Sequence, residues 1–161
     1  ELSLYVHIPF CKVRCKFCEY VVLEDVDTCT EDLYVSLLLK EIQMYKAILK
    51  DKKIVGYDIG GGTPTRLSLE NLKKITDTIT DSFNIQDDVV FSIETTPVIA
   101  AKEPEKIIAA YNMGYKRISM GIQTVSEKLL NELGREGTVH IYEEATRNIR
   151  KAGFKIGRAH V

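Results

Sequence analysis

Cys11, Cys15 and Cys18 stand within eight positions of one another, in "CKVRCKFC". Closely spaced thiolates are ligands for zinc or for an iron–sulfur cluster. A structural zinc site closes with four ligands, and the only other cysteine is Cys29, further along the chain. A four-iron cluster held by three thiolates leaves one iron without a protein ligand, where a small molecule can bind. Further residues have matching chemistry. "GGGTPT" (60–65) lets the backbone approach a ligand closely, because glycine has no Cβ. It lacks the GxxxxGK[ST] pattern of a phosphate loop. Glu94, in "SIETTP", can accept hydrogen bonds from both hydroxyls of a ribose, or can be a solvated strand end. "RISMGIQT" (117–124) carries Gln123, and Arg135 follows Gly134. A guanidinium fork pairs bidentately with a carboxylate.

These residues need elements to position them. "LSLYVHI" (2–8) reads as a strand, so the thiols lie in the loop at its C-terminal end. Residues 31–50 carry Tyr34, Leu37, Leu38, Ile42, Tyr45, Ile48 and Leu49 at helical spacing, with Thr28 and Glu31 as a capping box. Further strands are expected over 54–60, 88–94 and 115–122. Further helices are expected over 68–83, 103–114, 126–133 and 141–152, with Ser68 as an N-cap and Phe154 opening a fifth strand. Strand and helix alternate four times. This predicts an α/β fold with a parallel sheet, either doubly wound or part of a barrel. In both, chemistry gathers at the C-terminal ends of the strands.

The totals bound the partners. Net charge is −1 over 161 residues, which argues against a nucleic-acid surface. No apolar run is long enough for a membrane span, and no signal peptide is visible. Thiols crowded in a chain with ample Ile, Leu and Val indicate a reducing, cytoplasmic compartment rather than a disulfide scaffold. The chain starts at Glu1 and is expected to be a fragment. "IGRAHV" (156–161) can be encoded by ATC GGA AGA GCA CAC GTC, which resembles sequencing-adapter read-through. Residues 1–155 are therefore expected to be native and Ile156–Val161 a non-native tail.

The CxxxCxxC spacing, with Phe17 before the last cysteine, resembles the radical S-adenosylmethionine (SAM) superfamily. "YVHIPFC", "GGGTPT", "SIE" and "R.SMG.Q" followed by Gly-Arg occur in order at strand ends. Together they resemble the oxygen-independent coproporphyrinogen III oxidase-like family, over about residues 2–155. The resemblance implies a partial (β/α)6 TIM-type barrel with four βα units present. It implies a [4Fe–4S] cluster on Cys11, Cys15 and Cys18, whose open iron chelates SAM and whose electron releases a 5′-deoxyadenosyl radical. Tyr5 would contact SAM beside the cluster and Phe17 would flank the adenine. Gly61, Gly62 and Thr63 would hold the methionine end, Glu94 the ribose, and Gln123 and Arg135 would complete the pocket.

The implied partners are a tetrapyrrole substrate or haem, and a flavodoxin- or ferredoxin-like electron donor. The oxidases proper carry a fourth cysteine two positions after the third; here that position is Tyr20, as in the haem-chaperone branch. "EGTVHIYEEA", after Arg135, is longer than usual. A radical SAM oxidoreductase, a haem-binding chaperone that retains the cluster and SAM site, a tetrapyrrole-handling methyltransferase and a zinc module all stay open. His7 reads as a positioned strand-end histidine, His140 as solvated and Cys29 as a packed thiol. Lys12, Arg14 and Lys16 read as a solvated loop, or as an attractor of an acidic donor or a propionate-bearing tetrapyrrole.

Overall fold

The computed structural model describes residues 1–135 and 137–160, with the backbone alone for 156–160. The expected non-native tail thus lies outside the residues whose side chains are described. In chain order the elements are β1 (Leu2–Ile8), β2 (Phe10–Cys11), β3 (Leu23–Glu24), α1 (Thr28–Leu49), β4 (Lys53–Gly61), a 3-10 turn (Pro64–Arg66) and α2 (Leu69–Ser82). There follow β5 (Asn84–Ile85), β6 (Phe91–Thr95), α3 (Pro97–Lys102), α4 (Pro104–Asn112), β7 (Tyr115–Gly121), α5 (Glu127–Glu132), α6 (Val139–Ala152) and β8 (Lys155–His160).

The main sheet is parallel and ordered β1-β4-β6-β7-β8, with β5 paired to the start of β4. Along this path strand order follows chain order without reversal. Crossovers between parallel strands are right-handed, so each step moves the same way and sets its helix on the same face. A doubly wound sheet needs a reversal, with helices on both faces. The fold is therefore an α/β partial barrel.

Alternation along the strands divides the two faces. Val6, Ile8, Tyr57, Ile59, Ile93, Ile118 and Met120 are buried in one core with Leu72, Ile75 and Ile79 of α2, Ile107 of α4 and Ile149 of α6. On the opposite face Tyr5, Asp58, Ser92 and Arg117 lie in one register line. There an Arg117 Nη2 donates to Asp58 Oδ1 at 2.9 Å, spanning from β4 to β7 across β6.

One polar chain crosses the core. The Thr76 hydroxyl donates to the Leu72 carbonyl at 2.8 Å, so its oxygen accepts from Tyr115 at 2.9 Å. Tyr115 in turn accepts from Tyr57 at 3.1 Å. Burial pushes both phenols above their ordinary pKa.

Several boundaries differ from expectation. Helix α1 begins at Thr28, capped by Asp27, whose Oδ1 accepts from the Thr30 amide at 2.7 Å. The expected capping box therefore does not form. Glu31 instead accepts from the Ser68 amide at 2.9 Å and from Asn71 Nδ2 at 2.8 Å, tying α1 to α2. The third expected strand starts at Phe91 because a turn, with the Val89 amide on the Gln86 carbonyl, occupies the residues before it. Helix α3 was not anticipated. The Thr96 side chain caps it through the Ile99 amide, and Pro97 is pre-set for its first turn. Asn148 of α6 donates to the carbonyls of Ala100 and Ala101 at 3.0 and 3.2 Å, so this short helix is held by tertiary contacts.

Candidate functional site

The cysteine loop is anchored at both ends and in its middle. β2 pairs with β3, and the Asp25 amide donates to the Cys11 carbonyl at 3.1 Å. The Lys16 amide donates to the Leu133 carbonyl at the end of α5, also at 3.1 Å. The Cys18 amide closes a turn on Cys15 at 3.0 Å. All three thiols are free and partly buried, whereas Cys29 is exposed. Exposed Cys29 corrects its reading as a packed thiol. The Cys11 sulfur lies 3.6 Å from the hydroxyl of buried Thr63. Burial raises the Cys11 pKa first, the Thr63 hydrogen bond opposes this, and the charges of Cys15 and Cys18 raise it further. The three sulfurs thus share one electrostatic neighbourhood.

The glycine turn after β4 packs directly under this loop. The Gly62 amide donates to the Ile8 carbonyl at 2.7 Å and the Thr63 amide to the Phe10 carbonyl at 2.8 Å. A Cβ on Gly62 would sit 2.7 Å from the Phe10 carbonyl oxygen, so glycine is required by close backbone approach. Gly61 has φ +108° and donates its amide to Glu94 Oε2 at 3.1 Å. The three amide N–H groups are committed, which leaves this segment only carbonyls to offer a ligand.

From the other side, Arg135 Nη1 donates to the Gly121 carbonyl at 3.1 Å, and its guanidinium carbon lies 5.9 Å from the Phe17 ring centroid. A Cβ on Gly121 would meet Arg135 Nη1 at 3.1 Å and Gln123 Nε2 at 3.3 Å, so both side chains rest on that glycine.

Cys11, Cys15, Phe17, Cys18, Gly61, Gly62, Thr63, Glu94, Gln123 and Arg135 all line one cavity of about 920 Å³. That volume lies near the upper end for small-molecule sites, roughly 300–1,000 Å³. Tyr5 is set apart. It lies outside the cavity wall, on the polar face of β1, and its hydroxyl pKa is pushed up to about 12, by burial first and then by the charge of Glu94. Sequence reasoning missed Arg66, Ser119 and Tyr142 on the wall. Arg66 pairs with Asp25 at 3.2 Å, and its charge lowers the Cys11 pKa. None of the three sits in a pattern that marks a ligand.

The thiols themselves test the choice of metal. A single zinc ion with sulfur at about 2.3 Å draws its thiolates to within about 4 Å of one another. Among the described residues no group of three His, Cys, Asp or Glu side chains is set to hold one ion. The three thiols line the cavity together, and thiolates are the donor type that iron–sulfur clusters take.

The radical SAM superfamily profile matches residues 5–161. The chain belongs to the radical SAM superfamily. This radical SAM chain is similar to the heme chaperone HemW of Lactococcus lactis, with 32% identity over 154 residues, covering 95% of this chain and 38% of the relative. It is similar also to the oxygen-independent coproporphyrinogen III oxidase of Helicobacter pylori, with 31% identity over 156 residues, covering 96% and 34%. Among solved structures it is similar to coproporphyrinogen III oxidase (HemN) from Escherichia coli, described as a radical SAM enzyme. That match has a TM-score of 0.87 and 27% identity, and covers 96% of this chain and 36% of the other. The chain thus spans between a third and two-fifths of the length of these relatives. No helix among the described residues is long and apolar enough to cross a membrane.

Proposed function

We propose that the chain holds a [4Fe–4S] cluster on Cys11, Cys15 and Cys18 and binds SAM across the cavity, as part of a protein of tetrapyrrole or haem metabolism. The observation that carries this reading is that all three thiols, the glycine turn, Glu94, Gln123 and Arg135 line one cavity. When bound, such a cluster supplies one electron that cleaves the SAM sulfonium to a 5′-deoxyadenosyl radical.

The chain's own residues bind and orient. Glu94 is held through one oxygen by the Gly61 amide, which leaves carboxylate lone pairs for ribose hydroxyls. The glycine-turn carbonyls accept from the methionine ammonium, since the amides are already engaged. Arg135, fixed on Gly121 and beside Phe17, is placed to pair with the methionine carboxylate, while Phe17 covers the adenine. The exposed basic loop of Arg14 and Lys16 suits an acidic flavodoxin- or ferredoxin-like donor. Such an assignment puts the working protein in the cytoplasm.

Tyr20 favours a second reading. It stands on the cavity wall, 61% exposed, at the position where the oxidases carry a further cysteine. A haem chaperone that keeps the cluster and SAM site accounts for that replacement, and matches the name of the HemW relatives.

Electron paramagnetic resonance on anaerobically reconstituted, dithionite-reduced protein, with and without SAM, tests the cofactor assignment. A [4Fe–4S]⁺ signal that changes with SAM is expected; bound zinc with no cluster signal would overturn it. Haem titration of the full-length protein separates the two roles. Stoichiometric binding without porphyrin turnover selects the chaperone, and turnover selects the oxidoreductase.

A further inference from the structure

His7 lies on β1, between the polar-face tyrosine and the cysteine loop, and its ring contacts several parts of the site. Its Nε2 is 3.3 Å from the backbone carbonyl oxygen of Val21, in the segment that leaves Cys18. A carbonyl only accepts, so this contact requires a proton on Nε2. In the neutral ring Nδ1 is then bare, and it lies 3.5 Å from the hydroxyl of Tyr5, which donates to it. The ring also covers the glycine turn: a Cβ on Gly61 would meet His7 Cε1 and Nδ1 at 2.5 Å. Tyr20 stands beside it, with ring centroids 6.3 Å apart. The backbone under the ring is pinned as well, because the Tyr34 hydroxyl of α1 donates to the His7 carbonyl at 2.5 Å.

We propose that His7, held in its Nε2–H tautomer, is a positioning residue that straps the chain leaving the third cysteine to the hydroxyl of Tyr5. The strap rests on the proposed function in two respects: the loop it closes is the cluster loop, and Tyr5, although outside the cavity wall, is the residue that the family resemblance sets beside SAM. Its two bonds have separable consequences. The bond to Val21 holds the loop closed and governs metal retention. The bond from Tyr5 sets the direction of that phenol toward the mouth of the barrel and governs affinity for the ligand there. Neither bond places His7 on a metal or a reacting atom.

Two amide side chains separate the bonds. A Gln amide reaches about as far as Nε2 and can still donate to Val21. An Asn amide reaches only about as far as Nδ1 and can still accept from Tyr5. The chain holds three histidines, so nitrogen-15 labelling of histidine gives few ring signals, and the one lost in His7→Gln is assigned. In the full chain at neutral pH, the His7 ring is expected to show a protonated Nε2 and a bare Nδ1 before any cofactor is added.

After anaerobic reconstitution, His7→Gln is expected to retain iron like the parent and bind SAM about five- to tenfold more weakly. His7→Asn is expected to bind SAM within about twofold of the parent while its cluster is lost several-fold faster under a chelator. An Nδ1–H tautomer, or Gln and Asn variants that show no such split, overturns the proposal. If the parent takes up no iron, the cluster assignment fails, and the tautomer alone decides whether His7 forms the strap.

Discussion

The carboxylate of Glu94 accepts the Gly61 amide at 3.1 Å, joining the end of β6 to the end of β4 at the cavity mouth. A Cβ on neighbouring Gly60 would fall 2.7 Å from the Glu94 carboxyl carbon. The missing side chain of one strand therefore makes the space in which the other strand's carboxylate lies.

Glu94→Gln is expected to keep the fold and the cluster and to weaken SAM binding. Hydrogen bonds to a charged group contribute about 1.5–3 kcal/mol, which corresponds to roughly 10- to 150-fold in affinity. Gly60→Ala should weaken SAM comparably, by displacing Glu94 rather than removing it. Isothermal titration of SAM into reconstituted protein measures both; unchanged affinity in Glu94→Gln would remove this residue from the ribose role.

Serine at Cys11, Cys15 or Cys18 should each abolish stoichiometric iron uptake, whereas Cys29→Ser, an exposed site, should not. Thr63→Val keeps the shape but removes the hydroxyl 3.6 Å from the Cys11 sulfur, and should speed cluster loss several-fold. Iron-to-protein ratios and the decay of cluster absorbance under a chelator report these effects. Loss of iron uptake in Cys29→Ser would mean that the ligand set is misassigned.

Arg135→Lys retains the charge but loses the planar fork that now grips the Gly121 carbonyl beside Phe17. SAM affinity should drop about tenfold with cluster loading unchanged. An analogue lacking the methionine carboxylate should bind parent and variant alike, and any difference between them would assign Arg135 another role.

The buried hydroxyl chain predicts an ordered pair of stabilities. Tyr115→Phe leaves the Tyr57 donor and a Thr76 lone pair without partners, at a cost of about 1–3 kcal/mol. Tyr57→Phe removes only the outer donor and should cost less. Both phenols have folded pKa values raised above 10, chiefly by burial. Above pH 10 the unfolded chain therefore gives up these protons more readily than the folded one. Stability is fully present below pH 10 and should fall as pH rises beyond it, less steeply in Tyr57→Phe. Urea unfolding from pH 8 to 11 measures this; a slope that does not change in the variant would contradict it.

What could be read without coordinates was local in origin. The cysteine spacing, the glycine turn and the carboxylate of "SIE" are short-range patterns. So is the alternation of strand and helix, because period and punctuation depend on neighbours in the chain. Ser68 capping α2 is of the same kind, since its partner Asn71 is three residues away. Helix α3 escaped notice because six residues carry little periodic signal, and Asn148 of distant α6 satisfies its carbonyls. Glu31 read as half of a local capping box, yet its carboxylate is bound from α2, because a long-range partner competed for it.

Sequence alone determined the alternation of the main strands and helices, and it singled out the thiols and their proposed companions at strand ends. Tertiary structure decided the rest. Strand order without reversal turned an ambiguous parallel sheet into part of a barrel. The docking of Lys16 on Leu133 brought Phe17 beside Arg135. Strand register put Tyr5, Asp58 and Arg117 on one face, and His7 was oriented between Tyr5 and Val21. The physical reason is common to all of them. Each is a contact between residues far apart in the chain, whose geometry exists only once the sheet has closed the distance between them.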